Sequence, residues 1–248
     1  MANEERLDIH NSEIPVVCRA CEARHRGICG ALDPEQLQKL GKHAIRKVVD
    51  DATELYSADQ EIERYSNIMS GVVKLSKMMS DGRQQIVGLQ FAPDFVGRPF
   101  SRQAKTTAEA ATTVRLCSFP KNALEKIISE TPELEHRLHE QSLKELDEAR
   151  DWMLTLGRKT AAEKVASFLH LIVTHINPEW EDTEDTVEIE LPMKRADIAD
   201  FLGLTIETVS RQLTNLRKRG IIDIRDRRIV IIPDIHKLFA ATQQDLSN

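Results

Sequence analysis

Leu191-Pro-Met-Lys-Arg-Ala-Asp-Ile-Ala-Asp-Phe-Leu-Gly203-Leu-Thr205-Ile-Glu207-Thr-Val-Ser210-Arg211-Gln-Leu-Thr-Asn-Leu-Arg217 reads as two short amphipathic helices broken at Gly203-Leu204-Thr205. Ala199 is a small residue where two helices would cross, Gly203 suits a turn of unusual φ/ψ, and Val209 anchors the second helix. Ile198, Leu202, Leu213 and Leu216 supply a shared core. This is the pattern of a helix-turn-helix. The exposed face of its second helix carries Glu207, Ser210 and Arg211 within one and a half turns of the N-terminus, the part that enters a major groove. Arg211 can bond a guanine bidentately, Glu207 can accept from a cytosine amino group, and Ser210 can contact either strand. The plainer role for Glu207 is an acid that stabilises a first helical turn. Arg217, Lys218 and Arg219 close the helix with cations. Ile221 to Ile232, interrupted by Asp226-Arg227-Arg228, reads as a two-stranded wing, and these cations are expected to grip phosphates.

Upstream, Thr160-Ala-Ala-Glu163 is a capping box for a helix running to about His175, and the acidic, Pro178-containing stretch after it is expected to be a loop or hairpin without chemistry. Thr131-Pro132-Glu133 announces another helix through a possible N-cap, a proline at the first helical position and an acid in the first turn. Leu138, Ser142, Leu146, Ala149, Met153 and Leu156 then recur at spacings of four, four, three, four and three. That narrow seam, flanked by Lys144, Glu145, Asp147, Glu148, Arg150 and Asp151, predicts a two-helix coiled coil and hence a homodimer rather than a helix packed only on its own domain. From Ala44 to Pro120 short strand patterns alternate with turns, among them the hairpin Ser80-Asp-Gly-Arg83, and read as a β-barrel or roll. The fold class is therefore α+β. Its expected divisions are 1–131 (an N-terminal segment and roll), 132–157 (the dimerisation helix) and 158–248 (the winged helix-turn-helix).

Composition is that of an ordinary globular protein, 41% hydrophobic and 30% charged. The net charge of −6 alone argues against nucleic acid, but residues 176–190 hold seven acidic and no basic side chains while 206–228 hold seven basic and three acidic. The average hides a basic patch. No basic leader precedes an apolar stretch and no apolar run is long enough to span a bilayer, so a cytoplasmic location is expected, with no membrane partner.

Three of the four cysteines, Cys18, Cys21 and Cys29, fall within twelve residues, and the fourth is Cys117. A reducing compartment makes a metal or redox site the default for such a cluster. Cys18, Cys21, His25 and Cys29 also form a C-x2-C-x3-H-x3-C array near zinc-knuckle spacing, which would leave Cys117 as a core cysteine. On spacing alone, zinc and iron-sulfur stand level. An enzyme is not indicated: there is no P-loop, G-x-G-x-x-G or H-E-x-x-H, and His136, His139, His170 and His175 fall on predicted helices.

A cysteine-rich N-terminus, a β-roll, a long helix and a winged helix, in that order, resemble the CRP/FNR superfamily of bacterial transcription regulators across essentially the whole chain. Glu207-Thr-Val-Ser210-Arg211 is similar to the E-x-x-S-R motif of the FNR branch, and C-x2-C-x7-C with Arg24-His25-x-Gly27-x-Cys29 is closest to its FnrL/FnrN type. The resemblance implies a DNA-binding activator that works with RNA polymerase and reads TTGAT half-sites in genes for anaerobic or microaerobic metabolism. It implies that Cys18, Cys21, Cys29 and Cys117 ligate one [4Fe-4S] cluster per monomer, which favours the dimer until oxygen degrades it. Two departures stand out. Phe91-Ala-Pro-Asp-Phe-Val-Gly-Arg-Pro99 lacks the G-E-x-x-G and Arg-Ser/Thr phosphate-binding pattern, which argues against a cyclic nucleotide. Ala149 occupies a seam position where some FNR proteins carry an acid that repels the partner helix, which argues against a charge-gated switch and for a dimer that forms even without the cluster.

Overall fold

The computed structural model describes residues 14–19, 21–176, 186–226 and 228–243. The N-terminal residues 1–13, most of the acidic stretch (177–185, with Pro178) and Arg227 of the wing lie outside the described residues. The chain divides into two compact units, Met1–Lys77 with Val87–Leu146, and Met78–Ile86 with Asp147–Asn248.

The first unit opens with two helical turns, α1 (Val16–Arg19) and α2 (Glu22–His25), and a 3-10 turn at Ile28–Ala31. Helix α3 (Pro34–Gly41) follows, its start fixed by Pro34 and by a capping box in which Asp33 Oδ1 accepts from Gln36 N at 2.8 Å and Gln36 Oε1 accepts from Asp33 N at 3.0 Å. Eight strands follow: β1 (Ile45–Val49), β2 (Glu54–Tyr56), β3 (Arg64–Ser70), β4 (Val72–Met78), β5 (Gln84–Phe91), β6 (Phe95–Val96), β7 (Thr107–Ala110) and β8 (Val114–Pro120). They form two four-stranded sheets in the orders β1-β8-β3-β6 and β2-β7-β4-β5. The roll expected between Ala44 and Pro120 is present. The turn at Ser80–Arg83 joins β4 to β5, closed by Met79 N donating to Arg83 O at 2.8 Å.

The two-residue period of β8 divides its side chains between two cores. Val114 and Leu116 face one made with Ile68, Val73, Val96, Ala108 and Ala110. Cys117 and Phe119 face another, built with Ile28, Cys29, Leu37 and Leu40 from the N-terminal segment and with Tyr65 and Phe95. The β1-β8-β3-β6 sheet is thus covered on both faces, and the cysteine segment is one of the covers. Helix α4 (Lys121–Glu130) adds Leu124 and Ile128 to this second core.

Helix α5 runs Pro132–Arg158. Thr131 O takes the first helical amides, Leu134 N at 3.0 Å and Glu135 N at 3.2 Å, while its hydroxyl accepts from Gln36 Nε2 at 2.8 Å instead of capping the helix. Leu134 is buried in the core and Leu138 is half-buried against it. From residue 135 to residue 154 no side chain of α5 is buried, and Leu143, Leu146 and Met153 are 48%, 45% and 72% exposed.

In the second unit α6 (Ala161–Ile176) begins at the expected capping box, Thr160 N donating to Glu163 Oε2 at 2.8 Å. After β9 (Val187–Glu190) come α7 (Arg195–Leu202), α8 (Ile206–Lys218), β10 (Asp223–Arg225), β11 (Ile229–Ile232) and α9 (Ile235–Ala241). The wing has three strands, in the order β10-β11-β9, because the end of the acidic stretch pairs with β11. The two wing strands expected from sequence form, and the end of the acidic stretch, read as a loop or hairpin, adds a third: Val187 and Ile189 alternate with Glu188 and Glu190 as a half-buried strand requires.

Candidate cysteine-lined site and nucleic-acid interface

The cysteine segment is folded by short-range backbone bonds, Cys18 N to Pro15 O at 2.7 Å and Arg24 N to Cys21 O at 2.9 Å, and anchored by buried Ile28 and Leu32. Gly30 permits the close return of this loop, since a Cβ there would meet Arg24 O at 2.8 Å. All four cysteines are free thiols, Cys29 buried and the others half-buried. Together with Arg24, Arg46, Asn67, Leu37, Leu40 and Phe119 they line one cavity of about 210 Å³. Cys117 reaches it from β8, where Arg46 of β1 stands opposite on one side and Asn67 of β3 on the other.

Burial pushes the Cys117 thiol up to about 11, and the neighbouring Cys21 and Cys18 add to that. Burial is also the largest cause at Cys29 and Cys18, whose thiols are raised as well. Neighbouring thiolates are stabilised by positive charge placed among them, which is what metal binding supplies. Among the described residues no three His, Cys, Asp or Glu side chains converge at the spacing of a single bound ion. His25 is not in the cavity wall; its Nε2 lies 3.2 Å from Arg19 O. Arg46 and Asn67 were not singled out from sequence. An Asn inside a strand pattern was the one available signal.

At the other unit, Gly203 ends α7 at φ +62° and ψ +42°, the left-handed conformation that closes a helix C-terminus. Thr205 then caps α8, its Oγ1 accepting from Thr208 N at 3.2 Å. Val209, Leu213 and Leu216 are buried, as are Ile198, Ala199 and Leu202 of α7. The core expected of a helix-turn-helix is therefore formed. Glu207, Ser210 and Arg211 lie exposed on the opposite face of α8. The carboxyl of Glu207 is held below its usual range by its own backbone N–H and then by Thr205, as befits a first helical turn. Arg211 Nη2 is 3.5 Å from Thr208 Oγ1. Arg217, Lys218 and Arg219 are exposed. A groove of about 450 Å³ beside this face is lined by Lys194, Arg195, Ser210, Thr214 and Arg228. Lys194 and Arg195 are cations that sequence reasoning passed over. Two wing cations have acidic partners on β9: Arg225 with Glu188 at 3.4 Å and Arg228 with Glu190 at 4.0 Å.

A two-sheet roll followed by a long helix and a winged helix-turn-helix is the architecture of a DNA-binding regulator. Residues 163–241 match the Crp-like helix-turn-helix domain, and residues 46–131 match the cyclic nucleotide-binding domain. The chain is 56% identical, over 94% of its length and 98% of the relative's, to a probable transcriptional activator of Rhizobium leguminosarum bv. viciae. It is 37% identical to the transcriptional activator protein FnrL of Cereibacter sphaeroides, over 94% and 96% of the two chains. The structure of FixK2 from Bradyrhizobium japonicum aligns with a TM-score of 0.72 and 31% identity, covering 80% of this chain and 96% of that one. The chain belongs to the CRP/FNR superfamily. It is thus a DNA-binding transcription regulator and not an enzyme, and among the described residues no helix is long and apolar enough to cross a membrane.

Proposed function

We propose that this regulator is an FNR-type oxygen sensor in which Cys18, Cys21, Cys29 and Cys117 hold one [4Fe-4S] cluster and a homodimer reads TTGAT-type half-sites. The observation that carries this reading is the meeting of the three N-terminal cysteines with Cys117, from β8 of the roll, around one cavity. Four thiolates are the usual complement of such a cluster. The cavity volume of about 210 Å³ far exceeds the roughly 10–15 Å³ that admits one water, and suits a group of several atoms better than one ion. His25 lies outside the cavity wall, which supports the four-cysteine reading over the zinc-knuckle array. A bound cluster supplies the oxygen-reactive centre.

The chain's own residues provide the rest of the switch. Cys29 and Cys117 tie the N-terminal segment to the roll. The exposed stripe of Leu146, Ala149 and Met153 on α5 supplies the face for a second copy, with Leu138 and Leu156 at its half-buried margin. Glu207, Ser210 and Arg211 read bases, and two half-sites one turn apart require a two-fold dimer, so the monomer loses most specific affinity without any change at the reading face. Activation at promoters through RNA polymerase, and location in the cytoplasm, follow the same reading. The segment Phe91–Pro99, without the G-E-x-x-G and Arg-Ser/Thr pattern that binds a cyclic phosphate, supports a regulator that takes no cyclic nucleotide. The test is metal and sulfide analysis of anaerobically purified protein: about four iron and four sulfide per chain, with absorbance lost in air, are expected. Stoichiometric zinc without sulfide overturns the proposal.

A further inference from the structure

Asn67 is a primary amide 1% exposed in the middle of β3. Its Nδ2 donates to Cys29 Sγ at 3.2 Å, and its Oδ1 has no hydrogen-bond partner among the described residues. A buried carbonyl oxygen without a donor opposes folding, and an apolar residue of similar shape would remove that cost. Packing alone therefore does not account for the residue. The strand registers add a second observation: Arg46, Cys117 and Asn67 form one rung across β1, β8 and β3, and all three line the cysteine cavity. A ligand sulfur is flanked by a cation on one side and by an N–H donor to a second ligand sulfur on the other.

We infer that Asn67 is a positioning residue for the cluster, holding the Cys29 sulfur toward the other three and making the cluster easier to reduce. The inference rests on the cluster reading above. A donor pointed at a ligating sulfur withdraws charge from it, which favours the more negative oxidation state, and hydrogen bonds to ligand sulfurs are among the levers that set iron-sulfur potentials. Arg46 acts in the same sense through its charge. Neither residue is needed to complete the four-thiolate set, so both can be changed while the cluster still assembles.

The test uses the full chain, loaded anaerobically, as the parent, Asn67→Leu and Asn67→Asp. In an EPR-monitored titration one electron passes from a low-potential chemical reductant to the cluster and no bond breaks. Asn67→Leu is expected to hold the parent's iron and sulfide, with its midpoint shifted negative by about a three- to tenfold change in the reduced-to-oxidised ratio. Asn67→Asp, acceptor-only in the same shape, is expected to move it further the same way. Without its cluster, Asn67→Leu is expected to melt at or above the parent's temperature. A second measurement needs no variant: with 15N-labelled asparagine, pulsed EPR of the reduced parent must detect a nitrogen coupling. A parent that takes up no iron and sulfide fails the cluster reading and this one with it. A loaded parent with no coupling, or variants with an unmoved potential, overturns this inference alone.

Discussion

Gln36 Nε2 donates to Thr131 Oγ1 at 2.8 Å, joining the helix that follows the cysteine segment to the residue that starts the 27-residue α5. The same Gln36 side chain accepts from Asp33 N, so one amide caps α3 and tethers α5 with its two ends. Thr131 is itself buried, and its carbonyl receives the first amides of α5. The cysteine segment is thus connected to the base of α5 by one side-chain bond and by the packing of Leu134 in the same core as Ile28 and Cys29.

Thr131→Val removes the acceptor and keeps the shape, leaving one Gln36 N–H unsatisfied. A loss of about 1 kcal/mol in unfolding free energy is expected. Gln36→Leu also takes the α3 cap and should cost about 2 kcal/mol. Denaturant unfolding gives both numbers. If the tether transmits the state of the cysteine site, Thr131→Val will also lessen the difference in self-association between loaded and cluster-free protein, measured by sedimentation. Equal differences in variant and parent would place the coupling elsewhere.

The exposed stripe on α5 predicts the behaviour of Leu146→Glu. The side chain is 45% exposed in the single chain, so the substitution should leave monomer stability within about 0.5 kcal/mol. In a coiled-coil seam the same change sets two carboxylates against each other. The variant is expected to sediment as a monomer with its secondary structure intact, and a dimer would assign the interface to another surface.

Local features of this fold were legible in the sequence because neighbours in the chain decide them. Thr160 with Glu163, Gly203 with Thr205, and the turn at Ser80–Arg83 depend on a few consecutive residues, and each forms where its pattern stands. The helix-turn-helix core was legible for the same reason, through its 3.6-residue period. What sequence could not supply were pairings set by topology. That Asn67 and Arg46 flank Cys117 follows from the order β1-β8-β3, which no local pattern encodes. Glu188 and Glu190 read as part of a loop or hairpin without chemistry, whereas β9 pairs with β11 and brings them to Arg225 and Arg228. The wing cations read as phosphate contacts are therefore partly neutralised, while exposed Lys194 lines the groove beside Ser210.

Arg211→Ala should reduce affinity for the cognate half-site by roughly 1 to 3 kcal/mol and relax preference at one guanine. Because Arg211 is exposed and its one described side-chain contact is a 3.5 Å approach to Thr208, stability should change little. Lys194→Ala, at a groove cation, should instead weaken binding to all sequences alike and flatten the salt dependence by about one unit of slope. Binding isotherms on cognate and single-mismatch duplexes at several salt concentrations separate the two behaviours. An unchanged base preference in Arg211→Ala would remove it from direct readout.

Gly203 isolates the contribution of backbone conformation to the reading head. A Cβ built there meets nothing within 4 Å, so any penalty for a side chain arises from φ +62° and not from a clash. Gly203→Val should cost about 1 to 2 kcal/mol, the penalty for an L-residue in the left-handed region, with β-branching adding to it. Gly203→Asn should recover much of that loss, because Asn tolerates this conformation. Since Gly203 sets where α8 leaves α7, and Ala199 O receives Leu204 N at 3.0 Å across the turn, a strained turn also tilts Glu207, Ser210 and Arg211. DNA affinity should then fall in the order Gly, Asn, Val, alongside the unfolding free energies. A valine variant with parental stability and parental affinity would mean that the turn relaxes without moving the recognition helix.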